Sequence, residues 1–242
     1  MKIDWTLSKD ETLKCGRAIV FYGHPHSVSK GIASVHDVML GENRRPTILP
    51  GRLLTMEGLR EALRDVSATP QRRLILPERA LSYDSGRLVW WCPSAKRPIF
   101  FKTSDNKFNN AMNGKTVSHP PLVFRAEAGR LHVYAIQQDA RPTEETPLCR
   151  APYFNLYGAG NMCTGNVRLP EIAVPSEISL WERAFFESNF THTNADLVVK
   201  FEGGHNALWQ HLATTGEAFP KKALVPLKDD KGTITLERMV NE

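Results

Sequence analysis

The sequence predicts an α+β fold: an antiparallel meander sheet with helices packed on one face, preceded by an N-terminal extension. Three observations lead there. Between residues 87 and 136 the chain alternates short β-branched and aromatic runs with turn residues, the mark of consecutive hairpins. Beyond Pro175 the apolar spacing switches to the helical period. Between the two lies an extended segment, residues 153–165, punctuated by glycines and lacking either period. A meander has a face to bury, and the later helices are available to cover it.

In chain order, residues 17–22 and 32–40 read as two strands joined through the turn residues at 23–27. A loop at 43–51 carries Pro46 and Pro50. Thr55 is a suitable N-cap for a helix whose Leu59, Ala62, Leu63 and Val66 share one face, and Pro70 ends it. Residues 87–92 and 98–103 are spaced as a hairpin, and the polar, asparagine-rich stretch 106–115 reads as an exposed loop. Residues 122–126 and 130–136 flank a second hairpin turn at Glu127-Ala128-Gly129. Adjacent Trp90 and Trp91 point to opposite faces of their strand, which suits core packing better than a stacking platform. Pro175-Ser176 opens a helix striped with Ile178, Trp181, Phe185 and Phe186, ending near Ser188-Asn189. A second helix after Gly203-Gly204 turns Ala207, Leu208 and Leu212 inward, and residues 223–239 read as a hairpin around Asp229-Asp230-Lys231-Gly232.

Composition narrows the class. A chain of 242 residues that is 41% hydrophobic and 24% charged has ample material for a core. No run of eighteen apolar residues offers a membrane span, and the N-terminus lacks a signal-peptide pattern, so a cytoplasmic location is expected. Cys15, Cys92, Cys149 and Cys163 include no Cys-x-x-Cys pair, which argues against a zinc ribbon, and a reducing compartment argues against disulfides. The first three read as buried hydrophobes. The net charge of +5 lies mostly at the front, where residues 1–75 hold 12 basic and 8 acidic side chains. No basic run is interleaved with aromatics, so no nucleic-acid partner is expected.

No metal or cofactor is expected either. His24, His26 and His36 have Asp37 as their nearby carboxylate and no helical His-x-x-x-His spacing, so they read as turn and strand surface. Cys149, Cys163, His192 and His205 fit no standard zinc-finger spacing. Gly158-x-Gly160 lacks the third glycine and the strand-to-helix context of a dinucleotide loop.

The chemistry concentrates in residues 153–165, where Asn155 stands eight positions before Cys163 and Gly160 three before it. A thiol is an intrinsically good nucleophile, and a carrier of acyl groups needs it exposed. Gly158, Gly160 and Gly165 suit an exposed loop, and the Asn155 amide is a donor suited to a tetrahedral oxyanion.

The spacing of Asn155, Gly160 and Cys163 resembles the active-site segment of ubiquitin-conjugating enzymes, whose pattern is His-Pro-Asn followed by Gly and Cys at these offsets. More narrowly the chain is similar to the PRTRC system protein B family, a bacterial branch of that superfamily. The residues carrying this likeness are Val89-Trp90-Trp91-Cys92-Pro93, His119-Pro120-Pro121-Leu122-Val123-Phe124, Arg141-Pro142 with Thr146-Pro147-Leu148, the cysteine segment, and the run from Trp181 to His192. The resemblance implies a ubiquitin-conjugating-enzyme-like domain over residues 53–215, between a β-rich extension (1–52) and a C-terminal hairpin or tail (216–242). It implies that Cys163 carries a small ubiquitin-like protein as a thioester received from a ThiF-type activating enzyme, with Asn155 holding the oxyanion. The alternative is a non-catalytic adaptor of the same fold. Tyr153-Phe154 departs from the family's His-Pro. The resemblance further implies a histidine beyond the cysteine; of His192 and His205, His192 is preferred because it directly follows an amphipathic helix expected beneath the site.

Overall fold

The computed structural model describes residues 16–24, 27–40, 46–55, 57–59, 75–84, 86–127, 129–195 and 197–241. The chain divides into two compact units, Met1–Arg73 and Leu74–Glu242.

In the first unit, β1 (Arg17–His24) runs antiparallel to β2 (Ser27–Leu40), with Arg17 opposite Asp37 and Tyr22 opposite Ile32. Both strands reach further into the turn than their apolar runs suggested. The short β3 (Pro46–Ile48) and β4 (Arg52–Leu53) also pair with β2. His36 is engaged locally, its Nε2 meeting Ser34 Oγ at 2.6 Å and its Nδ1 the Leu49 carbonyl at 2.7 Å; His26 lies outside the described residues. Thr55 Oγ1 accepts the Gly58 N–H at 3.1 Å, the N-cap bond expected of it. Residues 57–59 are helical, and the rest of that expected helix lies outside the described residues.

The second unit is built on an antiparallel sheet ordered β11-β10-β9-β6-β5. Its strands are β5 (Ala80–Asp84), β6 (Arg87–Cys92), β9 (Leu122–Glu127), β10 (Arg130–Ala135) and β11 (Cys149–Arg150). Between β6 and β9 the chain inserts β7 (Ala95–Ile99), helix α1 (Asn106–Met112) and β8 (Lys115–His119). This corrects two expectations. β6 pairs with β9, Trp90 opposite Phe124, and the partner of β7 is β8, so residues 87–92 and 98–103 form no hairpin. The stretch read as an exposed loop is α1 followed by β8. Asp105 caps α1 by accepting the Phe108 N–H at 3.0 Å, while Phe108 and Met112 bury their side chains.

Helix α2 (Ile178–Phe186) buries the stripe read from sequence, and α3 (Gly204–Thr215) buries Leu208 and Leu212 together with Trp209, while the expected Ala207 is only half-buried. They share one core with Leu88, Trp90, Phe124, Leu131 and Val133 from the sheet. The intervening residues face a second core: Val89, Val123, Tyr134 and Ile136 meet Leu148, Leu227, Leu236 and Met239. Trp90 and Trp91 accordingly contribute to opposite cores.

The second core exists because the C-terminal segment is no free tail. Residues 228–233 form a two-residue hairpin, β12 (Lys228–Asp229) with β13 (Gly232–Thr233), and helix α4 (Leu236–Asn241) stands where a returning strand was expected. The backbone is stitched to β11 and its neighbour, with Arg150 N–H on the Val225 carbonyl at 2.8 Å and Leu227 N–H on that of Leu148 at 2.9 Å. Arg125 Nη1 and Arg87 Nη1 donate to the carbonyls of Met239 and Val240 at 3.0 and 3.3 Å, the cationic cap a helix C-terminus favours. Both arginines also hold Glu127.

Candidate active site

The segment from Asn155 to Cys163 is a closed loop. Cys163 N–H donates to the Asn155 carbonyl at 2.7 Å, Leu156 bridges Met162, and Tyr157 N–H donates to the Asn161 carbonyl at 3.0 Å. Backbone bonds dock this loop on β10: Val133 N–H reaches the Gly160 carbonyl at 2.9 Å and Met162 N–H that of Leu131 at 2.8 Å. Gly160 makes the docking possible. Its φ is +89°, and a Cβ there would lie 2.6 Å from the Tyr134 ring. The glycine three residues before the cysteine is thus set by close approach to the sheet.

Cys163 is free and partly exposed at the end of this loop. Leu156 and Met162 are buried beneath, whereas Tyr157 is 44% exposed. The neighbouring Cys163 thiol, through hydrogen bonding first and then its charge, raises the Tyr157 hydroxyl above the ordinary tyrosine range. Cys92 and Cys149 contrast with Cys163. Each is buried in the sheet, and burial pushes each thiol up to about 11.

Asn155 joins the other parts of the site. Among the described residues it is the one non-glycine with positive φ, +62°, a conformation asparagine tolerates. Its N–H donates to the His192 carbonyl at 2.9 Å. Its side chain, 6% exposed, turns toward the strip after α2: Oδ1 accepts from Thr191 N–H at 3.0 Å and Thr191 Oγ1 at 2.7 Å, and Nδ2 donates to the Asn189 carbonyl at 2.8 Å. One amide hydrogen remains. His192 is exposed, and its Nδ1 meets Thr191 Oγ1 at 2.8 Å. Because that hydroxyl already donates to Asn155, it accepts from His192, which leaves Nε2 bare toward solvent. Backbone bonds therefore join Cys163 to Asn155 and Asn155 to His192, and the Thr191 hydroxyl links the Asn155 amide to the His192 ring, a connection the sequence reading missed.

His205 does not belong with them. Its ring stacks on Phe154 at 3.8 Å, Trp209 Nε1 donates to its Nε2 at 3.0 Å, and burial lowers its pKa to about 4. The departure at Tyr153-Phe154 also has its explanation. Tyr153 is 1% exposed, and its hydroxyl meets Nδ1 of His119 at 2.7 Å, whose Nε2 donates to the Arg97 carbonyl at 3.2 Å. Around this pair pack Trp209, Phe185, Phe186 and Phe190, a slab of rings that roots the cysteine loop in the core. Burial holds the His119 ring neutral, its pKa down to about 3.

The model of prokaryotic E2 family D, a family of ubiquitin-conjugating-like proteins, matches residues 55–227. No curated protein and no solved structure matches the chain. Among the described residues no helix is long and apolar enough to cross a membrane.

Proposed function

The chain belongs to prokaryotic E2 family D, and from that premise we propose that it is a cytoplasmic transferase carrying a small ubiquitin-like protein as a thioester on Cys163. The observation that carries this reading is a partly exposed thiol at the end of a loop whose other end, Asn155, is bonded to it through the backbone. In this reading a ThiF-type activating enzyme supplies the acyl group, as in a PRTRC-type cassette. Asn155 braces the site and offers its remaining amide hydrogen to the oxyanion. His192, through Nε2, takes the proton of the attacking amine.

The test combines the chain with such an activating enzyme, the ubiquitin-like protein and ATP, read on a non-reducing gel. A thiol-sensitive adduct is expected, absent in Cys163→Ala and replaced by a thiol-resistant oxyester in Cys163→Ser. A second reading, a non-catalytic adaptor, is favoured by one observation: most of the Asn155 amide is committed to Asn189 and Thr191. Binding of the partners without any adduct is the outcome that selects it.

A further inference from the structure

In the first unit, the bonds made by β2 determine which backbone groups of β1 are left over. Leu54 N–H donates to the Ala33 carbonyl at 2.7 Å and Leu49 N–H to that of Asp37 at 2.9 Å, so the odd-numbered residues of this part of β2 bond away from β1. Val38 N–H, by contrast, reaches across to the Gly16 carbonyl at 3.0 Å. Ile19 stands opposite Val35 and Phe21 opposite Ala33. These are the non-hydrogen-bonded pairs of the ladder, and Ile19 and Phe21 therefore aim their own N–H and C=O groups outward. Among the described residues no strand pairs with that edge.

The side chains along the edge are apolar and uncovered: Phe21 is 79% exposed, Tyr22 51% and Ile19 37%. Between Ala18 and Gly23 there is neither a charge nor a proline, the devices that ordinarily keep an edge strand from pairing. What selects a second copy over an unrelated strand is that the edge matches itself. Centred on Val20, a twofold antiparallel pair sets Ile19 opposite Phe21, Val20 opposite Val20 and Ala18 opposite Tyr22, with no like charges facing. The same register brings the outward backbone groups of Ile19 and Phe21 together as bonded pairs, while Val20, which bonds inward to β2, falls at a non-bonded pair.

We propose that the chain forms a symmetric dimer through β1, which lies antiparallel to β1 of a second copy about a twofold axis at Val20. Ile19 and Phe21 of the two copies exchange main-chain hydrogen bonds, and their four side chains form one apolar strip across the junction. The pairing is independent of the chemistry at Cys163.

Sedimentation velocity of the full chain at micromolar concentration should show a dimer that dissociates on dilution. Phe21→Glu alters an exposed side chain; it should leave the far-UV circular dichroism unchanged and convert the dimer to monomer. A non-bonded antiparallel pair brings its Cα atoms within disulfide range. With copper–phenanthroline as oxidant, Val20→Cys should therefore give a crosslinked dimer on a non-reducing gel, absent from the parent chain. Tyr22→Cys, which faces Ala18 in this register, should not. A chain that stays monomeric, or a dimer that survives Phe21→Glu, overturns the proposal. Crosslinking through Tyr22→Cys in place of Val20→Cys overturns it as well, by showing a different pairing. A monomeric chain that binds the activating enzyme only with Phe21 intact assigns the edge to that partner instead.

Discussion

Thr191 Oγ1 donates to Asn155 Oδ1 at 2.7 Å and meets His192 Nδ1 at 2.8 Å. One hydroxyl therefore ties the asparagine of the cysteine loop to the histidine of the strip after α2 and selects the histidine's tautomer. Thr191→Val keeps the shape and removes both bonds. It should slow discharge to an amine by about 10-fold, the equivalent of one lost hydrogen bond, while leaving loading intact. Single-turnover rates of the two half-reactions decide; an equal effect on both points to a general loosening of the site.

His192→Ala should reduce aminolysis of the thioester by about 10²-fold or more, the usual contribution of a general base. Added imidazole should restore part of the rate. A variant that discharges at the wild-type rate removes His192 from the mechanism.

Asn155 combines a left-handed backbone with three side-chain hydrogen bonds. Asn155→Gly and Asn155→Ala both lose the side chain's bonds, at a cost of about 1–3 kcal/mol. Alanine adds the strain of positive φ, about 1–2 kcal/mol more, so urea midpoints should rank wild type above Gly and Gly above Ala. The reverse order of the two variants would show that the loop rebuilds around residue 155.

Gly160→Ala meets both a positive φ and the Tyr134 ring. We expect about 1–3 kcal/mol of lost stability. A faster alkylation of Cys163 should accompany it as the loop lifts off β10. Equilibrium unfolding and thiol accessibility measure the two effects separately.

His119 sets an acid limit. Its folded pKa of about 3 lies below the 6.5 of the free ring, so between these values the unfolded chain binds a proton that the folded chain does not. Its contribution to stability is therefore intact above about pH 6.5 and falls as pH drops, by up to about 1.4 kcal/mol per unit. Urea unfolding from pH 7 to 4 should show the slope, and His119→Asn should reduce it despite a lower starting stability. An unchanged slope in that variant assigns the acid sensitivity to other groups.

What sequence made legible was local. Asn155, Gly160 and Cys163 stand out by spacing within nine residues, and the stripe on α2 by its helical period. The loop's true support was invisible because Tyr153 reaches His119, 34 residues away. α1 was misread because its asparagines suit turns, yet Asn109 is tied to Thr103 through both amide atoms and Phe108 and Met112 are drawn into the core. The hairpin at 87–103 failed for another reason. Residues 87–92 are a strand, whereas of 98–103 only Pro98 and Ile99 lie in β7, and β6 takes its partner from beyond an inserted helix, a choice that proximity in sequence cannot show.

The ring slab behind Tyr153 has a consequence for genetics. Because the cysteine loop hangs from the same packed aromatics that hold the helices to the sheet, damage to the core and damage to the reactive thiol share a phenotype. A mutational screen scored on Cys163 reactivity will return Trp209, Phe185 and His119 alongside the residues that touch sulfur. Its map of sensitive positions will outline the foundation as well as the workplace, and only protein abundance, measured in parallel, will separate the two.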